Sequence, residues 1–322
     1  MQTLLQKYRA TSFDSQAVVK IMAILVGLVV LASIFSQGVF LQPKNLVNLI
    51  SQNALLIVIA MAQLLVIVTG GIDLSVGSLV AISSVLFVLF QDYGMAASIF
   101  IALVVTMMFG LVNGFLVTYV RLPAFVVTLA SMQIISSVAK VLSGGGAIYA
   151  GMQGAEIPAG LSAFYKNTLL GIPYPLFICI LFVVLVALYL RSSTGHYIFS
   201  IGGNEQAAFL SGIPTRRVKM AVYVISAALC CVGGVLFVAR VGMGDPQTGA
   251  WIPLDSIAAV SIGGASLSGG GGTISGTLIG VVILSVLNNI MNLLGVPPTL
   301  QPAIKGLVIL LAVYLNSARK QN

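Results

Sequence analysis

The chain is 322 residues long, 59% hydrophobic and only 7% charged, against about 25% charge in an average soluble domain. That composition excludes a water-soluble globular domain and allows about ten membrane crossings, since each helical span needs roughly 20 apolar residues. The net charge of +8 comes from 15 Lys and Arg scattered along the sequence; they form no stripe that could follow a nucleic-acid backbone, so the expected partner is the lipid bilayer and not nucleic acid.

The N-terminus is polar as far as Lys20 and then apolar to Phe35, with no convincing small-residue cleavage site after it, which reads as an uncleaved first span. Apolar runs bounded by turn residues or charges predict ten helices, at 18–36, 46–69, 74–91, 95–119, 124–142, 173–190, 218–239, 254–268, 273–294 and 300–316. The expected fold is therefore an all-α polytopic membrane protein, one transmembrane domain over 1–322.

Between the second and third spans the heptapeptide Gly71-Ile72-Asp73-Leu74-Ser75-Val76-Gly77 places an acid inside a long apolar stretch. An ionisable residue in such a place is a functional-site candidate, so Asp73, Ser75 and Gly77 are candidate gating or structural residues. The plainer reading is a turn at the lipid headgroups in which Asp73 caps the next helix. Asn113 follows in the fourth span, and residues 143–172 form an outer loop.

The inner loop, 191–217, is the most charged part of the chain. Within it Asn204 is a preferred N-cap and Glu205 a first-turn acid. Ala207, Ala208, Phe209 and Leu210 follow as the body of a short helix, then Ser211. Gly212 suits a left-handed C-terminal position and Pro214 blocks continuation. The result is a two-turn helix, too short to stand alone in water. It needs a surface to dock on, either its own bundle or a partner subunit.

The eighth segment, 254–268, starts near Asp255 and is short and Gly-rich, which fits a re-entrant or broken helix enclosed by protein. Asn288, Asn289 and Asn292 in the ninth span are the densest group of amides. With Asn113 they are the candidate pathway for an uncharged, many-hydroxylated molecule, because an amide both donates and accepts. Amides also hold membrane helices together, and that reading stays open for each of them.

Orientation follows from the basic residues. Starting inside, Lys7, Arg9, Lys20, Arg121, Arg191, Arg216, Arg217, Lys219, Arg319 and Lys320 fall on the inner side; Lys44, Lys166, Arg240 and Lys140 fall on or near the outer one. Both termini are expected in the cytoplasm. There is also an internal echo: Asp73, Ser75, Asn113 and Pro123 are matched by Asp255, Ser256, Asn288 and Pro298, with ten residues from Asn to Pro in each set. The residues 46–142 and 218–316 would then be related bundles.

No motif for bond-making chemistry is visible. Ser268-Gly269-Gly270-Gly271-Gly272-Thr273 lacks the lysine of a phosphate-binding loop, His196 is alone, and Cys179, Cys230 and Cys231 have no metal spacing. No cofactor is expected in this chain. Asp73, Asp92, Asp245 and Asp255 all fall at expected span ends, and Lys140 and Lys305 lie where a long stem can snorkel. This argues against an ion-coupled carrier and leaves the energy to another subunit.

Four stretches in order carry a resemblance: Gly71 to Gly77 (GIDLSVG), Pro123 to Leu129 (PAFVVTL), Gly202 to Ile213 (GGNEQAAFLSGI) and Leu254 to Gly272 (LDSIAAVSIGGASLSGGGG). With Asn288-Asn289 and Lys305-Gly306, they make the chain resemble membrane permeases of the ribose/galactose/allose class of bacterial ABC importers, from about residue 45 to 316. The resemblance implies a permease of the bacterial inner membrane that pairs as a homo- or heterodimer. It implies two cytoplasmic ATPase subunits that hold the ATP and Mg, and a periplasmic or tethered binding protein that delivers a monosaccharide. It further implies that 202–213 is the coupling helix. A furanosyl signal molecule or a branched-chain amino acid is the alternative cargo for the same machine. The sequence departs from the family at Ser136-Ser137, where an Arg-Gly pair is common, and at Gly270-Gly271-Gly272, where Gly-Lys-Gly is common. The first bears on the particular sugar, the second on contact with the ATPase.

Overall fold

The structure, a computed structural model, describes residues 15–149 and 159–317. Lys7, Arg9, Arg319 and Lys320, on which the placement of the termini partly rests, lie outside the described residues, as do residues 150–158 of the outer loop.

Thirteen α-helices occur among the described residues: α1 (Ser15–Phe35), α2 (Pro43–Val68), α3 (Val76–Leu89), α4 (Met95–Thr118), α5 (Ala124–Leu142), α6 (Ala159–Lys166), α7 (Tyr174–Arg191), α8 (Ser193–Gly203), α9 (Glu205–Leu210), α10 (Thr215–Val241), α11 (Ile252–Ile262), α12 (Ile274–Leu293) and α13 (Gln301–Ser317). Six of them, α2, α4, α5, α7, α10 and α12, are long and apolar enough to cross a membrane. Each of the ten expected segments contains one helix. The outer loop adds α6, and the inner loop holds α8 as well as α9. The start of α8 has a local cause, the Ser192 hydroxyl accepting from the Gly195 amide.

The outward surface of α4 is the reverse of a soluble helix. Phe100, Val104, Met108, Leu111 and Phe115 are exposed, while Ser98, Thr106, Gly110 and Asn113 are buried with Ala102. Small and polar groups facing inward and large apolar ones facing outward is what a helix surrounded by lipid requires.

The central helix is α10, packed against α2, α3 and α4. It runs antiparallel to α2: the Ile59 side chain lies at Gly233, and the Val66 side chain lies beside the Tyr223 hydroxyl at Gly71. The order long, short, long occurs twice, as α2 to α4 and as α10 to α12, and a further helix, α5 or α13, completes each set. Because α2 and α10 point in opposite directions, so do the two sets.

The short members, α3 and α11, decide the centre of the molecule. They have 14 and 11 residues, about 21 and 17 Å at ~1.5 Å per residue, so neither spans a hydrocarbon layer of about 30 Å. The expectation of a full span at 74–91 is corrected accordingly. Residues 244–249 run back along α3, Gly244 lying at Ser84 and Val85 and Gly249 at Gly77. There α11 begins, with Pro253 also against Gly77, and its far end packs Gly263 on Gly276 of α12. The N-termini of the two short helices therefore abut inside the bundle and their bodies lead away from each other. A methyl group on Gly77 would strike the Gly249 carbonyl, and one on Gly249 would strike the Gly77 backbone, so this approach requires glycine on both sides. Ile148–Tyr149 pairs antiparallel with Met243–Gly244, tying the loop after α5 to the end of α10.

Candidate functional site

Three places contain the residues singled out by the sequence. The first is the start of α3. Asp73 is 1% exposed, and its Oδ1 accepts from the Ser75 backbone amide at 2.8 Å and from the Ser75 hydroxyl at 2.6 Å. Asp73 thus does hold the beginning of the helix, and it does so buried in the interior of the bundle. The Asn113 amide donates to the Ser75 hydroxyl at 3.0 Å, and the Ser131 hydroxyl donates to the Asn113 Oδ1 at 2.5 Å. This chain of bonds links α3, α4 and α5 and uses both ends of the Asn113 amide. On the other side the Ser226 hydroxyl of α10 reaches Asp73 Oδ2 at 3.5 Å.

The start of α11 solves the same problem differently. Lys305 of α13 donates to Asp255 Oδ2 at 2.9 Å, forming an ion pair most of which is buried, and its ammonium lies 5.9 Å from the centre of the Trp251 ring. The expected snorkelling of Lys305 to an outer surface is corrected: its stem carries the charge inward to a carboxylate. Asp73 and Asp255 do lie at the starts of their helices, as the sequence suggests, but both are buried inside the protein.

The second place is the amide cluster on α12. Asn289 and Asn45 exchange two hydrogen bonds, at 2.9 and 3.0 Å, which joins α12 to α2. Gln301 donates to Asn292 Oδ1 at 3.0 Å. Asn288 differs, because its Oδ1 is buried with no partner in the protein. A buried polar atom left this way costs about 1–3 kcal/mol, so Asn288 is the member of the group with a free acceptor. The apolar concavity between α4, α7 and α10, about 650 Å³ and bordered by Leu103, Phe182 and Val224, offers almost no group to read a hydroxyl and belongs to the lipid-facing side.

The third place is the inner loop. The Asn204 side chain caps α9, accepting from the Ala207 amide at 2.9 Å. The Ser211 hydroxyl donates to the Ala207 carbonyl at 2.8 Å, and Gly212 takes φ +84° to end the helix. Glu205 pairs with Lys219 of α10 at 2.9 Å, which fixes α9 to the bundle. Ala208 faces inward and is buried, so it does not contribute to an outer surface. Phe209 and Leu210 are 65% and 77% exposed and form the apolar tip. The sequence marks Leu210 only as a good helix former, and its exposure adds it to that tip.

The element that carries α9 meets the rest of the protein through bare backbone. A methyl on Gly202, in the last turn of α8, would collide with the Val68 carbonyl at the end of α2 and with the Gly270 amide between α11 and α12. Gly270 itself donates to the Val68 carbonyl at 2.9 Å. The inner loop therefore touches both helix sets at one point. The sequence offered a weak signal for this in the coincidence of Gly70-Gly71, Gly202-Gly203 and the run 269–272.

Residues 45–313 match the family described as branched-chain amino acid transport system / permease component. The chain belongs to that family. Similar curated proteins include the ribose import permease protein RbsC of Bacillus subtilis, 39% identical over 292 residues that cover 90% of this chain and 89% of that protein. RbsC of Escherichia coli is 37% identical, with 92% and 93% covered. The L-arabinose ABC transporter permease protein AraH of Azospirillum brasilense is 34% identical, with 87% and 82% covered. No solved structure matches the chain. The resemblance read from the four motifs is borne out. The chain is a transporter permease subunit and not an enzyme.

Proposed function

We propose that this chain is the membrane-embedded permease subunit of an ATP-driven importer that passes a monosaccharide across the bacterial inner membrane, with pentoses the first class to test. Two relatives named for ribose import, alike over nine-tenths of the chain, carry this reading. The six long apolar helices cross the bilayer outright, and α1 and α13 are assigned a crossing each beside them. The irregular segments before α3 and α11 each complete a further crossing with their short helix, giving ten crossings with both termini inside. Irregular backbone at that depth is tolerated where protein encloses it, and residues 71, 73, 75, 244, 246, 248 and 249 are buried.

In this reading α9 docks a cytoplasmic ATPase subunit through Phe209 and Leu210, and Gly202 passes its movement to α2 and to the α11–α12 turn. A second permease subunit, identical or related, completes the pathway, and a periplasmic or tethered binding protein delivers the sugar. Asn288 is the residue with which the pathway reads a hydroxyl; Asn289, Asn292 and Asn113 hold helices. The test is uptake of labelled D-ribose by cells expressing the full system. Phe209→Asp and Leu210→Asp are expected to abolish uptake while the permease stays in the membrane at its normal level; normal uptake in both would end the docking assignment. Asn288→Leu is expected to lower uptake, and unchanged transport would return that residue to a structural role.

A further inference from the structure

Among the described residues Asp73 has no basic partner, and the two ion pairs are Lys219–Glu205 and Lys305–Asp255. The α3 N-terminus and Ser75 satisfy Oδ1, but Oδ2 has only the Ser226 hydroxyl at 3.5 Å. That is longer than a good O–H···O bond. It is, however, the spacing of two oxygens at right angles around one hard cation, about 3.4 Å for metal–oxygen distances of about 2.4 Å.

Two further polar groups, on the neighbouring helices α10 and α2, are buried and have no partner in the protein. The Tyr223 hydroxyl, on a side chain 1% exposed, is one turn before Ser226 on the same face of α10. It lies 2.8 Å from where a Gly71 Cβ would be, so only glycine leaves room for it two residues before Asp73. Gln63 of α2 is fully buried with both amide atoms unpaired. Ile59 and Val66, four before and three after it, both face α10, at Gly233 and beside Tyr223. Helical spacing puts Gln63 between them on that face.

We propose that Asp73, Ser226, Tyr223 and Gln63 form a binding site for one small monovalent cation of sodium size, where α2 and α10 enclose the start of α3. The donor set is all oxygen and carries a single negative charge, which suits a hard ion of charge one. A proton on Asp73 would neutralise the carboxylate yet leave the Tyr223 and Gln63 oxygens unserved; a cation serves the oxygen of each of the four side chains. The site uses residues of α2, α10 and the start of α3, whereas Asn288, assigned to the sugar, is on α12, so it requires nothing about the cargo.

The full chain, purified in lipid nanodiscs, is unfolded by heat while sodium chloride replaces choline chloride at constant ionic strength. Potassium chloride forms a third series, and every series is run at mildly acidic and mildly alkaline pH. A saturable rise in Tm with sodium and none with choline is expected. Asp73→Asn should abolish the rise. Tyr223→Phe and Ser226→Ala, which keep the fold if the aspartate variant does not, should each raise the half-saturating sodium concentration about tenfold, a loss of about 1.4 kcal/mol of binding. Gly203→Ala, whose added methyl meets open space, should respond like the parent. Equal curves in sodium and choline, an undiminished response in Asp73→Asn, or stabilisation by acid with no preference among cations would each overturn the proposal. An equal response to potassium would overturn the assignment of size.

Discussion

The starts of α3 and α11 are a matched pair with opposite electrostatics. Each short helix begins inside the bundle, each has an aspartate there, and their N-termini meet at Gly77 and Gly249. Asp255 is neutralised by Lys305 from within its own helix set, whereas Asp73 is held by hydroxyls and one backbone amide. An acid at a helix start gains from the helix dipole, but half a charge does not balance a whole one. The second set has closed its account internally, and the first depends on a chain of polar contacts through α4, α5 and α10. The lesson is that similar sequence positions in two halves need not share one charge state or one role.

The largest effect is expected where the two sets are joined. Gly202→Ala should reduce sugar uptake at least tenfold, equivalent to about 1.4 kcal/mol or more, with the permease still in the membrane, whereas Gly203→Ala should transport normally. Equal behaviour of the two variants would show that the backbone contact at Val68 and Gly270 transmits nothing. Next is the ion pair. Lys305→Met leaves Asp255 buried without its partner and should cost about 3 kcal/mol of stability, measured by thermal unfolding in micelles. Adding Asp255→Asn should recover most of it; no recovery would mean that Lys305 acts through packing on Trp251. In the other set, Asn113→Leu breaks the bonds to Ser75 and Ser131 and should cost about 2 kcal/mol. Asn289→Leu should cost about 0.6 kcal/mol, the mean for hydrogen bonds between membrane helices, and a reversal of that order would break the contrast between the halves. The smallest effect belongs to Glu205→Gln, at an exposed pair, which should change stability by less than about 1 kcal/mol.

Much of the fold could be read from the sequence because a membrane helix announces itself by composition. Every expected segment holds a helix, and Asn204, Gly212 and Pro214 bounded α9 by local chemistry alone. The length of α3 could not be read, since the apolar run from Val76 to Phe90 looks the same whether it crosses the bilayer or stops halfway. Its half-length comes from the approach of Gly249 to Gly77, a contact between residues 172 positions apart. Lys305 was misplaced for the same reason: hydropathy locates the residue along a helix but says nothing of the carboxylate 50 residues away. Periodicity likewise did not separate Asn288 from Asn289, because the distinction lies in Asn45, on another helix. Tyr223 and Ser226 gave no signal within an apolar helix. Ala208 and Leu210 differ only in which side of a six-residue helix they occupy, and tertiary packing decides that.

The central claim is that this permease transports sugar only when driven by a separate nucleotide-hydrolysing subunit. Proteoliposomes containing the chain, the ATPase subunits of its own host and the cognate binding protein should accumulate labelled D-ribose when ATP is supplied to the face that displays Phe209 and Leu210, and should not do so without it. Accumulation by the chain alone, driven by a sodium or proton gradient and indifferent to ATP, would contradict the account.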